Sequence, residues 1–326
     1  MRAIIIVRPI LDGSLELREV ATPMPGKGEV RIAVRATAVN RADLLQARGQ
    51  YPAPSDAPAD IPGLEYAGVI DALGDGVTSF ATGDRVFGLA GGGTYAEFVV
   101  VHAHTVTRMP ARLSFNDAAA LPEAFITAYD AMVTQAALAA GETVLVHAVG
   151  SGVGTAAVQI ARAIGARCIG AARTVEKLKR IDCPCVVSAG GQFSEQVMKL
   201  TFDRGVDVVL DLVGGHYVAE DLKALAPRGR LVLVGLLAGA KAEIDLGLVL
   251  RKRLHIMGTV LRSRPLDEKI AAAVTFERHV VPLIDSGILT PVVDRVVPFE
   301  NARSAHAYVA TNESFGKVVL EVSRDA

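Results

Sequence analysis

The stretch that most constrains the fold is residues 144–166, which read VLVHAVGSGVGTAAVQIARAIGA. It opens with an apolar run typical of a buried strand, continues through a turn of small residues, and ends in a segment with helical periodicity. Gly165 is a typical helix terminator. A strand, a glycine turn and a helix in this order predict the phosphate-binding start of a dinucleotide-binding fold. The apolar residues that should share one face of the helix are Val153, Ala156, Ala157, Ile160, Ala163 and Ile164.

The glycine turn departs from the sequence G-x-G-x-x-G, because Val149 and Ser151 stand where the first two glycines would be. Similar turns also connect strands and helices that bind nothing, so the context decides between the two readings. A second apolar strand follows at residues 168–171, where a βαβ unit needs it. We therefore predict that a dinucleotide contacts the turn through Gly150, Ser151, Gly152, Val153 and Gly154.

The residues after the second strand should indicate which nicotinamide cofactor binds. An enzyme that prefers NAD places a carboxylate there to bind the ribose diol. In this chain Arg173 takes that place, and Lys177 follows one helical turn later. Two cations at these positions suit the 2′-phosphate of NADPH, although an exposed helix start with ordinary basic residues would give the same pattern. We predict NADPH as the cofactor, with Arg173 and Lys177 contacting its 2′-phosphate.

Two further stretches, DLVGG at residues 211–215 and VGLL at residues 234–237, follow predicted strands. The carboxyl ends of parallel strands meet at one edge of the sheet, where ligands bind in such folds. Small residues there would let the nicotinamide half of the cofactor lie against the backbone. Either stretch alone could be an ordinary turn, but together they predict cofactor contacts at Val213, Gly235 and Leu236.

Length and composition limit the number of domains, the kinds of ligand and the cellular location that the chain can have. A chain of 326 residues with 51% hydrophobic residues predicts two compact domains, and a net charge of −1 provides no basic surface for nucleic acid. The apolar run between Arg2 and Arg8 is too short for a signal peptide or a membrane span. The three cysteines, Cys168, Cys183 and Cys185, are an odd number in one region, which favours a reducing, cytoplasmic location over a disulfide framework.

The sequence pattern changes twice along the chain. Residues 1–121 contain short strand-like runs broken by proline and glycine, whereas residues 122–266 alternate strands with amphipathic segments. Residues 267–326 return to a mixed sequence pattern. We therefore predict an α/β protein in which a doubly wound parallel-sheet domain, residues 122–266, is inserted into a β-rich domain formed by residues 1–121 and 267–326. The predicted strands are 4–7, 15–20, 30–39, 67–72, 96–101 and 317–322 in the β-rich domain, and 144–147, 168–171, 186–187, 206–210, 231–234 and 256–259 in the inserted domain.

Several motifs in the chain resemble the quinone oxidoreductase (zeta-crystallin-like) family of the zinc-independent medium-chain dehydrogenases/reductases. They occur in order from end to end: NRAD at residues 40–43, GLEYAG at 63–68, LPEAFITA at 121–128, GETVLVHA at 141–148 and GKVVL at 316–320. The features that most resemble the mammalian stress-induced branch and its bacterial relatives are Ser151, GQY at 49–51 and LRSR at 261–264.

The resemblance implies a GroES-like substrate domain and a Rossmann cofactor domain. It also implies a homodimer joined through the edges of the two Rossmann sheets, for which the apolar run 256–261 is the candidate edge strand. Where the third strand of the Rossmann domain ends, at Ser188, relatives often have a tyrosine near the 2′-phosphate, so selectivity for NADPH should be weaker here. The residues implied to line the nicotinamide pocket or contact the cofactor are Asn40, Tyr51, Thr127, Ser151, Gly316 and Lys317.

The residues do not offer a zinc site of the kind found in alcohol dehydrogenases of this superfamily, which use Cys and His ligands and a four-cysteine lobe. The corresponding positions resemble Asn40 and Leu64, and no cysteine precedes Cys168. His102 and His104 form an H-x-H at a predicted strand end, but a zinc site needs more ligands, so we interpret them as surface or turn residues. We expect the protein to use no metal.

Without zinc, the consistent chemistry is hydride or electron delivery from NADPH to an electron-poor acceptor, such as a quinone or an activated alkene. Tyr51 would either donate a hydrogen bond or proton to the developing oxyanion or form an aromatic wall of the pocket. Asn40 is better suited to anchor an amide than to act as an acid or base. The catalytic candidates are Tyr51, Asn40 and Ser151.

Two alternative functions stay open at this point. One is an enone or enoyl-thioester reductase of the same fold, for which Arg262 and Arg264 are candidates for a basic groove. The other is a nucleotide-binding sensor or structural protein without significant turnover. An intact pocket of Asn40, Tyr51 and Thr127 favours an enzyme over the latter.

Overall fold

The computed structural model describes residues 1–8 and 14–322. By its internal contacts the chain divides into two compact units. The outer unit comprises Met1–Ile126 and Leu261–Ala326, and the inserted unit comprises Thr127–Val260. The sequence-based boundaries, after residues 121 and 266, lie a few residues from these divisions.

The outer unit, within the described residues, is built on a seven-stranded sheet and a two-stranded sheet. Its strands, numbered in chain order for the whole protein, are β1 (Arg2–Arg8), β2 (Ser14–Glu19), β3 (Glu29–Val39), β4 (Glu65–Leu73), β5 (Arg85–Leu89), β6 (Phe98–His102), β7 (Val106–Arg108), β14 (Val293–Pro298) and β15 (Lys317–Glu321). The larger sheet has the order β14-β15-β3-β4-β5-β7, with β6 also pairing with β3, and β1 pairs with β2.

The helices of this unit are short except for one. They are α1 (Arg41–Ala47), α2 (Phe115–Ala119), α9 (Leu266–His279), α10 (Val281–Asp285) and α11 (Ala302–Ala310), while α3 (Pro122–Tyr129) begins here and ends in the inserted unit.

All six strands predicted in the β-rich regions overlap an observed strand. Three strands, β5, β7 and β14, were not predicted, because they are short or carry arginine, glycine and aspartate among few apolar residues.

The pairing of β15 with β3 determines where the two ends of the outer unit meet. The strands are antiparallel, and Val318 pairs with Val39, so Lys317 lies beside Asn40. In the neighbouring strand, Tyr66 of β4 pairs with Thr37 of β3. The end of β3, the start of β4 and the start of β15 therefore lie at the same place in the sheet.

The inserted unit contains a six-stranded sheet within the described residues. Its strands are β8 (Thr143–Val146), β9 (Arg167–Ala172), β10 (Cys185–Val187), β11 (Val206–Asp211), β12 (Leu225–Leu233) and β13 (His255–Gly258). Its helices are α4 (Gly152–Ala163), α5 (Val175–Leu178), α6 (Ser194–Leu200), α7 (Tyr217–Ala224) and α8 (Leu246–Lys252), with a π-helix at Asp130–Gln135.

All neighbouring strands of this sheet are parallel, in the order β10-β9-β8-β11-β12-β13. The strand order reverses at β8, as in doubly wound dinucleotide-binding folds. Every residue of β8 and β11 is buried, as expected for central strands covered on both faces. The sheet confirms the predicted α/β class, and β13 is an edge strand, as predicted.

The structure confirms helix α4, but the prediction of its buried face was partly wrong. Ala156, Ala157 and Ile160 are buried as predicted, whereas Ala163 is exposed and Ala161 is fully buried. Thr155 and Val158 are buried as well, so the buried surface of the helix is wider than the predicted face. None of the described helices is long and apolar enough to cross a membrane.

Candidate active-site residues

The glycine turn follows β8 and leads directly into α4. Ser151 is the N-cap residue of this helix, and its hydroxyl oxygen accepts a hydrogen bond from the Gly154 N–H at 3.0 Å. Glycine is needed at 154 because a Cβ there would lie 2.6 Å from the carbonyl oxygens of Ala148 and Val149. The turn therefore packs tightly against a helix N-terminus, where free N–H groups and the helix dipole favour an anion.

Replacing Ser151 by Ala should lower the free energy of unfolding by about 1 kcal/mol, because the first turn of α4 loses its cap. Ser151→Gly is the matched control, since glycine caps helices almost as well and should cost only a few tenths of a kcal/mol. Both variants lack the hydroxyl, so a loss of cofactor affinity shared by both would measure its contact with the cofactor. Urea unfolding followed by circular dichroism gives the first quantity; equal stability of Ser151→Ala and the parent protein would contradict the capping role.

Arg173 lies just beyond the carboxyl end of β9, the strand next to β8. Its side chain is exposed, and in the part of the chain that the structure describes it makes no ion pair or side-chain hydrogen bond. Lys177 lies in α5 and is half-buried. The Arg173 guanidinium is therefore available to an external anion.

The turns after β11 and β12 are joined through their backbones. The Gly235 N–H donates to the Asp211 carbonyl oxygen at 3.3 Å, and the Ala238 N–H donates to the Val213 carbonyl oxygen at 2.7 Å. Val213 is half-buried, and Leu236 is 54% exposed. These hydrogen bonds hold the two turns together. The turns contain the three predicted cofactor contacts, Val213, Gly235 and Leu236.

Because β9, β8, β11 and β12 are parallel neighbours, their carboxyl ends lie on one edge of the sheet. That edge carries the glycine turn, Arg173, and the turns with Val213 and Gly235. Thr127 also belongs to the inserted unit, where it lies in α3 and is buried.

In the outer unit, a buried ion pair connects β15 with β4. The Lys317 ammonium donates to Asn40 Oδ1 at 2.5 Å and to Glu65 Oε1 at 2.6 Å. The Asn40 amide also donates to Glu65 Oε1 at 2.8 Å, and the Glu123 N–H donates to Glu65 Oε2 at 2.8 Å. Glu65 is fully buried, and the Lys317 residue is 5% exposed. We call Asn40, Glu65 and Lys317 the ammonium cluster.

Gly316 positions Lys317 in this cluster. Its φ angle is +88°, in the left-handed region, and a Cβ at this position would lie 2.1 Å from the Val292 carbonyl oxygen. Only glycine fits this turn without a shift of the backbone. The predicted pair Gly316 and Lys317 therefore has a structural role within the outer unit.

Two carboxyl groups near the ammonium cluster have raised pKa values. Burial raises the pKa of Asp43 to about 6, against the opposing effect of the Asn40 and Gly63 N–H groups that its carboxylate accepts. Burial, reinforced by the Glu65 carboxylate, raises the pKa of Glu123 to about 8. The Glu123 carboxyl therefore holds its proton to higher pH than an exposed glutamate does.

Tyr51 is half-buried beside Arg262. The guanidinium carbon of Arg262 lies 5.2 Å from the centroid of the Tyr51 ring, and Arg262 Nη1 donates to the Tyr51 carbonyl oxygen at 3.4 Å. Burial raises the pKa of the Tyr51 hydroxyl, so it stays protonated. Within the described residues this hydroxyl has no hydrogen-bond partner, which leaves it free to donate to a ligand.

Arg262 makes its hydrogen bonds to other residues of the outer unit. It is 8% exposed, and it donates to Gln46 Oε1 at 2.6 Å and to the Gly91 carbonyl oxygen at 2.7 Å. Arg264 lies 3.7 Å from Glu268 in an ion pair. Neither arginine is an unpaired cation of the kind that a basic groove for an acyl thioester would need.

The two positions that correspond to zinc ligands in alcohol dehydrogenases of this superfamily have other surroundings in this chain. Asn40 accepts the Lys317 ammonium, and Leu64 is 3% exposed. His102 ends β6 and accepts the His104 N–H at 3.3 Å, so this pair lies at a strand end as predicted. Among the described residues, one group of three side chains with metal-ligating atoms lies within 4.8 Å of one another: His147, Asp211 and Asp221, all buried in the inserted unit.

Sequence reasoning identified some residues of these sites and missed others. Asn40 and Lys317 were predicted separately, and the structure brings them together. Glu65 and Glu123 lay inside recognised motifs but were not predicted as site residues. A signal was available, since both are acidic residues in otherwise apolar motifs, where an ionisable side chain is usually paired or functional.

Two family profiles match the chain. The profile described as "Alcohol dehydrogenase GroES-like domain" matches residues 26–111, and the one described as "Zinc-binding dehydrogenase" matches residues 152–276. The quinone oxidoreductase of Homo sapiens is 32% identical to this chain, over 94% of this chain and 93% of that protein. The chain belongs to the quinone oxidoreductase family of the medium-chain dehydrogenases/reductases.

Solved structures agree with this membership. The quinone oxidoreductase of Pseudomonas syringae pv. Tomato DC3000 is 27% identical, with a TM-score of 0.86 over 98% of this chain and 99% of that chain. A structure described as an NAD-dependent alcohol dehydrogenase is 31% identical, with a TM-score of 0.86 over 99% of this chain and 100% of that chain. The predicted family and fold class are confirmed: this quinone oxidoreductase family member is an oxidoreductase with a GroES-like and a Rossmann-like domain, and its family uses nicotinamide cofactors.

Proposed function

We propose that this protein uses NADPH to reduce quinones by hydride or electron transfer from the nicotinamide, without a metal ion. The observation that carries the proposal is the gathering of the predicted cofactor stretches on one edge of a single parallel sheet. A dinucleotide that binds across the carboxyl ends of parallel strands would contact all of them. In the inserted unit the residues proposed to hold it are Thr127, Gly150, Ser151, Gly152, Val153, Gly154, Arg173, Lys177, Val213, Gly235 and Leu236. Asn40, Gly316 and Lys317 of the outer unit are proposed from the family resemblance alone.

The choice of NADPH over NADH rests on Arg173. Its exposed and unpaired guanidinium follows the strand after which an NAD enzyme would carry a carboxylate. A guanidinium can make two parallel charge-assisted bonds to a phosphate, which fits the 2′-phosphate. Lys177 is proposed to assist from the next helical turn.

When bound, the reduced nicotinamide supplies the hydride. Reduction of a quinone to a hydroquinone consumes one hydride and one proton, and two groups of the outer unit are candidates to donate that proton. They are the Glu123 carboxyl, whose pKa is raised to about 8, and the Tyr51 hydroxyl. Asn40 is proposed to anchor the nicotinamide amide rather than to transfer a proton.

The direct test is loss of the near-ultraviolet absorbance of NADPH when the purified protein meets a panel of quinones and enones, each repeated with NADH. Turnover of quinones with NADPH, unchanged by a chelator, is the expected result. Preferred turnover of enones or enoyl thioesters would move the protein to the alternative reductase. Tight NADPH binding without oxidation by any acceptor would favour a nucleotide-binding sensor or structural protein. Activity abolished by a chelator and restored by zinc would contradict the metal-free proposal.

Replacing Tyr51 by Phe should lower turnover more than it weakens NADPH binding. If the hydroxyl acts only on the developing oxyanion, kcat and kcat/KM for the quinone should fall together. The NADPH dissociation constant, measured by fluorescence titration, provides the comparison, since the ring and its contact with Arg262 are kept. Unchanged kcat would leave Tyr51 as a wall of the pocket.

We also propose that the protein is a homodimer in the cytoplasm. The edge strand β13 exposes apolar side chains, since Ile256 is 39% exposed, and Val260, just beyond it, is 49% exposed. An apolar edge of this kind favours pairing with a second copy. Light scattering at micromolar concentration should give the mass of a dimer, and Ile256→Lys should shift it toward the monomer. A monomer mass for the parent protein would contradict the dimer proposal.

The proposed cytoplasmic location rests on the three free cysteines, because free thiols are typical of a reducing compartment.

A further inference from the structure

The stretch of the outer unit that carries Tyr51 has no helix or strand. We call residues 50–60, which read QYPAPSDAPAD, the Tyr51 segment; it lies between α1 and β4. Its three prolines, at positions 52, 54 and 58, have no backbone N–H, so the segment is poorly suited to pairing with a strand. The place of the Tyr51 hydroxyl therefore depends on contacts that the segment makes with the rest of the outer unit.

Arg262 contacts this segment from the part of the chain that returns to the outer unit after residue 260. Its guanidinium carbon lies over the Tyr51 ring at 5.2 Å from the centroid, and its Nη1 donates to the Tyr51 carbonyl oxygen at 3.4 Å. A guanidinium can lie over an aromatic ring and donate hydrogen bonds from its edge at the same time. One side chain therefore contacts both the ring and the backbone of Tyr51.

Gln46 extends this contact to the other end of the segment. It lies in the last turn of α1 and is 4% exposed. Its Oε1 accepts a hydrogen bond from Arg262 Nη2 at 2.6 Å, and its Nε2 donates to the Ala59 carbonyl oxygen at 3.1 Å. Arg262 and Gln46 together therefore bond both ends of the Tyr51 segment, through the carbonyl oxygens of Tyr51 and Ala59.

The middle of the segment packs closely against the glycine-rich turn at residues 91–93. A Cβ at Gly91 would lie 3.2 Å from Ala57 Cβ and from Pro54 Cγ. Arg262 also bonds this turn, because its Nε donates to the Gly91 carbonyl oxygen at 2.7 Å. The guanidinium thus connects three pieces of backbone that are far apart in the chain: the end of α1, the Tyr51 segment and the glycine-rich turn.

A second contact to the segment is weaker. Lys269 lies 2.9 Å from Asp56 in an ion pair, but the Asp56 side chain is 61% exposed. Exposed ion pairs of this kind contribute little to stability. Arg262 is 8% exposed, so its bonds are shielded from water, and loss of its side chain would leave buried carbonyl oxygens without their donor.

We infer that Arg262 is a positioning residue for the reaction: with Gln46 it fixes the Tyr51 segment and so holds the Tyr51 hydroxyl in place for the substrate. Arg262 is not proposed to touch the reacting atoms; it acts through Tyr51. The inference rests on the proposed function for the role of the hydroxyl. That Arg262 fixes the segment does not depend on the proposed function.

Replacing Arg262 by Met should lower kcat for a quinone by at least about tenfold, because a displaced catalytic group loses much of its effect on the transition state. The NADPH dissociation constant should stay nearly the same, since Arg262 is not among the proposed cofactor contacts. Arg262→Lys should lose less, because an ammonium keeps a cation beside the ring but makes fewer fixed bonds. An unchanged kcat in Arg262→Met would overturn the inference.

The Tyr51→Phe variant separates positioning from general damage. If Arg262 acts through the hydroxyl, Arg262→Met should lower the kcat of Tyr51→Phe by no more than about twofold, because no hydroxyl is left to displace. A loss of similar size with and without the hydroxyl would contradict the positioning role. Gln46→Met removes the bonds to Arg262 and Ala59, so it should act in the same direction, and it serves as the test if Arg262→Met does not fold.

Arg85→Met is the matched control. Arg85 donates to the carbonyl oxygens of Ala111 at 3.1 Å and Leu113 at 2.6 Å, and its guanidinium carbon lies 4.9 Å from the centroid of the Phe115 ring. It therefore makes the same kinds of contact as Arg262, with other partners in the outer unit. We expect Arg85→Met to lower stability and leave kcat unchanged; a fall in kcat as large as in Arg262→Met would show a general effect and overturn the inference.

Amide hydrogen exchange, followed by mass spectrometry, tests the contact without cofactor or substrate. Peptides that cover residues 50–60 should exchange faster in Arg262→Met than in the parent protein, and at the parent rate in Arg85→Met. Equal exchange in Arg262→Met and the parent protein would show that Arg262 does not fix the segment. If exchange rises as expected but the parent protein reduces no quinone, the proposed function fails, while the assignment of Arg262 as the residue that fixes the Tyr51 segment stands.

Discussion

Replacing Arg173 by Asp is expected to lower the preference for NADPH over NADH by at least about a hundredfold, measured as the ratio of the two kcat/KM values. The change would remove the two charge-assisted bonds that we propose to the 2′-phosphate, each contributing roughly 1.5–3 kcal/mol, and would add repulsion between two anions. Binding of NADH should change little, because its ribose carries no phosphate there.

The structure supplies a matched control for this prediction. Arg167 is the first residue of β9, so it lies at the opposite end of the strand that Arg173 follows, and it is also exposed. Arg167→Asp changes the net charge equally but should leave the cofactor preference unchanged. Lys177→Ala should act in the same direction as Arg173→Asp but less, since an ammonium on a flexible stem is a weaker fixed partner than a guanidinium.

A ratio that is the same in Arg173→Asp and the parent protein would show that the 2′-phosphate is bound elsewhere or is not recognised. A ratio that falls equally in Arg167→Asp would instead indicate a general electrostatic effect. Such an effect should weaken as salt is added, whereas paired contacts at short distance are screened much less.

The parts of the fold that could be predicted depend on local signals. The strand, turn and helix at residues 143–163 follow from apolar runs, small residues and a terminating glycine that are contiguous in the chain. A parallel sheet then places the ends of its strands on one edge, so residues as far apart as Arg173 and Gly235 could be assigned to the same edge. The turns and their order along the chain were sufficient for this part of the site.

The parts that could not be predicted depend on contacts between distant residues. Lys317 bonds to a glutamate 252 residues away, and nothing local in the GKVVL motif indicates that partner. The contact between His147 Nε2 and Asp221 Oδ1, at 2.6 Å, depends equally on how α7 packs against the sheet. Sequence patterns identified Lys317, but only the pairing of β3 with both β15 and β4 determines that Glu65 is buried beside it.

Replacing Lys317 by Met should destabilise the outer unit by about 3–5 kcal/mol, because it leaves the fully buried Glu65 carboxylate without its cation. Methionine keeps most of the length of the apolar stem, so the loss comes mainly from the charge. The Asn40 amide and the Glu123 N–H would still donate to the carboxylate, but neither carries a positive charge. The chain has no tryptophan, so urea unfolding is best followed by far-ultraviolet circular dichroism.

A double-mutant cycle separates the ion pair from other effects of the substitutions. Glu65→Gln alone should also be costly, because the Lys317 ammonium then stays buried with only the Asn40 and Gln oxygens as acceptors. In the double variant Lys317→Met/Glu65→Gln no uncompensated charge is left, so much of the lost stability should return. The coupling energy should therefore be large, since each single change leaves the other charge unpaired. Losses that simply add in the double variant would show that the two charges contribute independently, and the ion pair would then not be the feature that connects the ends of β15 and β4.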